Sequence, residues 1–150
     1  MSSITTVYDE ILSNIQALFP SKAIIPYPYN LEDNKSLVLS NGIGVKIGSA
    51  TYVPLEWCTF VSARNVSIVV SREVFRTDSD SVVIDDIVKG LLEDIHSVQK
   101  LLFQMDQTAG NSSSVVKVDI GNVSGVQIVG ANTKFLTMEA EFTFNITDSL

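Results

Sequence analysis

The chain of 150 residues has one cysteine, Cys58, and one histidine, His96. A single thiol cannot close an internal disulfide, which points to a reducing compartment. One Cys and one His also fall short of the ligand set that a zinc site draws on. Any Ser-His-Asp or Cys-His arrangement would have to use this one histidine. It stands between Ile95 and Ser97, off the apolar stripe of its helix, so a solvated helical residue is expected there. No GxSxG elbow occurs. Charge is scarce too: 18% of residues are charged and 45% are hydrophobic. Such a chain is globular, and lean enough in charge that a partner is expected to cover some of its surface. Positive charge is scarcer still, with 10 Lys and Arg against 17 Asp and Glu and a net charge of −7. Wrapping of nucleic acid draws on a basic stripe and is not expected here. No apolar run approaches the ~18 residues of a membrane span. The opening MSSITTVYDEILSN has neither a basic n-region nor an apolar h-region, so no signal peptide is expected.

Carboxylates are the remaining source of chemistry, and none forms a recognisable set. Asp78 and Asp80 resemble the start of a calcium loop, but Val83 stands where its glycine belongs and Lys89 where its last glutamate belongs. Glu139 and Glu141 share a strand face, as paired glycosidase acids do; that face is the polar register of an amphipathic strand, where glutamates are simply solvated. Gly42-Ile43-Gly44 leads into a strand rather than a helix and cannot cradle phosphate. The expectation is a binding protein without catalytic residues, cofactor or metal. A divalent-metal enzyme using Glu73, Asp78 and Asp80 is the weakest competitor.

What the sequence does hold is periodicity. Ile4, Val7, Tyr8, Ile11, Leu12, Ile15, Leu18 and Phe19 recur at helical steps, with Thr6 and Asp9 at capping-box spacing and Pro20 as a stop. Residues 20–36 read as an irregular, extended connection, because Pro20, Pro26 and Pro28 cannot donate to a central ladder. Leu37–Leu39 and Val45–Ile47 flank Asn41-Gly42 and predict a hairpin. Asn65–Val74 reads as a strand that starts as early as Trp57. A second helix follows the 77–81 loop through Ile84, Ile87, Val88, Leu91, Leu92, Ile95 and Val98, to about Gln104. Strands are then predicted through Val116–Ile120, Val126–Val129 and Phe135–Ile146. In the last, Leu136, Met138, Ala140, Phe142, Phe144 and Ile146 share one face and polar residues the other. The expected fold is a single α+β domain over residues 1–150. Its sheet is mainly antiparallel, with two amphipathic helices packed on one face.

One strand invites a functional reading. Arg64, Val66, Ile68, Val70, Arg72, Val74 and Arg76 fall on one face if the strand is unbroken. An apolar centre flanked by arginines suits protein docking, with Arg64, Arg72 and Arg76 as interface residues. The alternative puts the valines and isoleucine in the core with arginines emerging at its ends.

The layout as a whole resembles the tail-terminator proteins of long-tailed bacteriophages. The segments that carry the resemblance are ITTVYDEILSNIQALFP, IPYPYNLEDN, RNVSIVVSREVFRT, SVVIDDIVKGLLEDI and FLTMEAEFTFNI, and it covers the whole chain by pattern and size. The resemblance implies a structural, non-enzymatic virion subunit made in the host cytoplasm. It would form a homo-hexameric ring at the head-proximal end of the tail, contacting the tail-tube protein and the head connector. DNA would pass through the lumen without specific binding, and no membrane is involved. No family residue assignments carry over. Another neck protein, or an acidic secretion-type chaperone acting as a dimer, are the alternatives.

Overall fold

The computed structural model describes residues 3–26, 42–56, 59–74, 81–106, 115–129 and 134–149. Helix α1, Ser3–Leu18, follows the apolar stripe, with Val7, Ile11 and Ile15 fully buried. Thr6 and Asp9 lie inside it, so the expected capping box is not its start; half-buried Ile4 extends the helix toward the N-terminus beyond them. The Phe19 amide still donates to the Ile15 carbonyl at 2.9 Å, and Pro20 then ends the helix.

Strand β1, Ala23–Pro26, pairs in parallel with β2, Gly42–Glu56. β1 is an edge strand, the place where Pro26 is tolerated. The predicted hairpin across Asn41-Gly42 falls largely outside the described residues. Leu37–Leu39 and Asn41 lie outside the described residues, and Gly42 belongs to β2, whose antiparallel partner is β3, Thr59–Val74. Helix α2, Ser81–Phe103, ends in a single 3-10 turn, Gln104–Asp106. Strands β4, Val115–Val123, β5, Gln127–Val129, and β6, Lys134–Ser149, complete the order.

The sheet runs β1-β2-β3-β6-β4, with β5 also on β6. β6 is antiparallel to both β3 and β4, so β3, α2 and β4 form a split βαβ unit with the C-terminal strand inserted in its gap. The β3–β6 register is unbroken from Thr59 opposite Ser149 to Val74 opposite Lys134. Along it Val66 faces Phe142, Ile68 faces Ala140 and Val70 faces Met138, while Ile43 and Val45 of β2 continue the rows. All are buried in one cluster with Ile11 and Ile15 of α1 and Leu91, Ile95, Val98 and Leu102 of α2. The fold is α+β with both helices on one face, as expected. The opposite face carries Lys46, Asn65, Glu141, Thr143 and Asn145, and is polar because the strand period is two.

Phe142 and Phe144 are the largest fully buried side chains. Phe142→Ala is expected to cost about 3–5 kcal/mol, and Glu141→Ala, one residue away on the exposed face, less than about 0.5 kcal/mol. Denaturant unfolding of the two variants measures both; equal losses would contradict the register.

Candidate functional site

The unbroken β3 ladder puts Arg64, Val66, Ile68, Val70 and Arg72 on one face, and that face is the helix-covered one. Val66, Ile68 and Val70 are fully buried, so the apolar centre of the row is core and not a docking surface. The arginines emerge at its two ends, about 26 Å apart at ~3.3 Å per residue. Arg76 lies outside the described residues. The row therefore does not form one site.

Arg64 and Arg72 are each engaged within their own chain. Arg72 Nε and Nη2 donate to Asp94 Oδ2 of α2 at 3.3 and 3.0 Å, and Lys22 Nζ lies 3.5 Å from the same oxygen. Lys22 also sits over the Phe19 ring, 5.8 Å from its centroid. Asp94 and Lys22 are almost fully covered, their side chains 11% and 9% exposed, and Arg72 is 37% exposed. An acid buried in the α2 stripe is tolerable only because two cations reach it. The approach of Arg72 is made possible by Gly90. A Cβ built there would stand 2.6 Å from Arg72 Cζ and Nη1. Glycine in mid-helix costs about 1 kcal/mol against alanine, so α2 gives up helix propensity to let the guanidinium cross it.

At the other end Arg64 Nη1 donates to the Gly48 carbonyl at 3.1 Å, and Nη2 to the Tyr52 hydroxyl at 2.9 Å. Gly48 lies in the irregularity where the β2–β3 register shifts between Ile47 and Ala50, so Arg64 braces a bulge. Its Nε is buried and has no hydrogen-bond partner.

Sequence reasoning placed Arg72 but missed its partners. The signal was present: Asp94 follows Leu91 by three residues and precedes Val98 by four, an acid on an otherwise apolar stripe. His96 is exposed on α2, as expected. Glu139 is half-buried and Glu141 exposed on the polar face of β6. Cys58, Asp78 and Asp80 lie outside the described residues, as does the side chain of Glu73. Among the described residues no three His, Cys, Asp or Glu side chains stand together as a metal set, and no helix is long and apolar enough to cross a membrane. Lys89 is held above the usual lysine range by its hydrogen bond to Asp85, a solvent-facing pair one helical turn apart. A groove of about 700 Å³ runs beside α1, lined by Tyr8, Leu12, Ser13, Gln16, Ala17 and Ile24, none of them charged.

The second feature is the outer edge of the sheet. β4 pairs the C-terminal half of β6 and β5 the N-terminal end. Ser124 bridges the gap between them: its amide donates to the Glu139 carbonyl at 2.8 Å, and its hydroxyl accepts from the Glu139 amide at 2.9 Å. β4, Ser124 and β5 thus act as one interrupted edge strand. Along it Ile120, Val123, Val126 and Ile128 are exposed, Ile128 at 69%, and Leu92 and Phe103 of α2 are exposed as well. No protein-family model matches the chain, and no curated protein matches it either.

The Gly90–Arg72 contact can be tested by a double-mutant cycle read by denaturant unfolding. Gly90→Ala is expected to stabilise by less than the full helix-propensity gain, because the new methyl must push the Arg72 guanidinium, the far end of a flexible side chain, away from Asp94. In an Arg72→Ala background the same change should stabilise, by up to about 1 kcal/mol. An equal effect in both backgrounds would show that the two residues do not interact.

Proposed function

We propose that this chain is a non-enzymatic structural subunit of a long-tailed phage virion. In this reading it caps the head-proximal end of the tail tube as a homo-hexameric ring, stops tube polymerisation and joins the tail to the head connector. The observation that carries the reading is the open sheet, whose outer strand displays apolar side chains to solvent. Exposed strand edges of this kind are surfaces that neighbouring chains complete. The layout that resembles the tail terminators adds to it: amphipathic helix, long strand pair, second helix, long closing strand. The net charge of −7 fits a wall past which DNA slides, since phosphates are repelled from it.

Arg64 and Arg72 are less suited to subunit contacts than the sheet edge, because both hold partners in their own chain. Charge reversal at Arg72 would strand Asp94 and act on folding before assembly.

Purified tails viewed by electron microscopy with and without the protein test the assignment. A ring at the head-proximal end and tails of uniform length are expected. A two-fold dimer that ignores tubes would instead favour the chaperone alternative. His96→Ala should leave tail capping intact; loss of capping by a well-folded His96→Ala protein would reopen the search for chemistry.

A further inference from the structure

We draw no further inference here: the strongest candidate, the uncharged groove of about 700 Å³ between α1 and β1 that Tyr8, Leu12 and Ile24 help to line, carries nothing because nothing in the structure shows what covers it.

Discussion

The ladder between β3 and β6 is the constraint on which the rest of the molecule depends. It joins sixteen residue pairs without a bulge, and it makes the last strand of the chain a central strand of the sheet. Each rung commits both faces at once, because side chains alternate with a period of two. Sliding β6 by one residue would turn Phe142, Phe144 and Ile146 to solvent and drive Glu139, Glu141 and Asn145 under the helices. Each buried phenylalanine contributes a few kcal/mol and burying each unpaired glutamate costs several, so the register is fixed by a margin comparable with the whole stability of a domain. With β6 seated, its far edge must be satisfied too. β4 and β5 do this in two pieces, with the Ser124 hydroxyl standing in where the backbone breaks.

That arrangement explains how far the fold could be read in advance. Both helices, β3, β4 and β6 are visible in local periodicity, since apolar residues at steps of three and four, or of two, report burial on one side of one element. Strand order is not local. Thr59 meets Ser149 only after the chain has passed through α2, β4 and β5, and no feature of either segment names the other. The parallel pairing of β1 with β2 was hidden for a related reason. Ala23–Pro26 is too short to show a period and contains a proline, which excludes a central strand but is compatible with an edge. The two readings of the arginine row were separated by one fact outside the sequence: which side of β3 the helices cover.

The Asp94 cluster and the apolar core do different work. A partly buried ion pair adds little net stability, because desolvation of the charges offsets most of their attraction. What Arg72 and Lys22 supply is direction. Hydrophobic contacts between α2 and the sheet tolerate small slides and rotations, but an acid that must find two cations tolerates few. Arg72 comes from β3 and Lys22 from the turn after α1, so one carboxylate ties both helices to the sheet at a fixed relation. Gly90 fits this arrangement, since a Cβ there would stand 2.6 Å from Arg72 Cζ and Nη1 and the guanidinium would have to move aside.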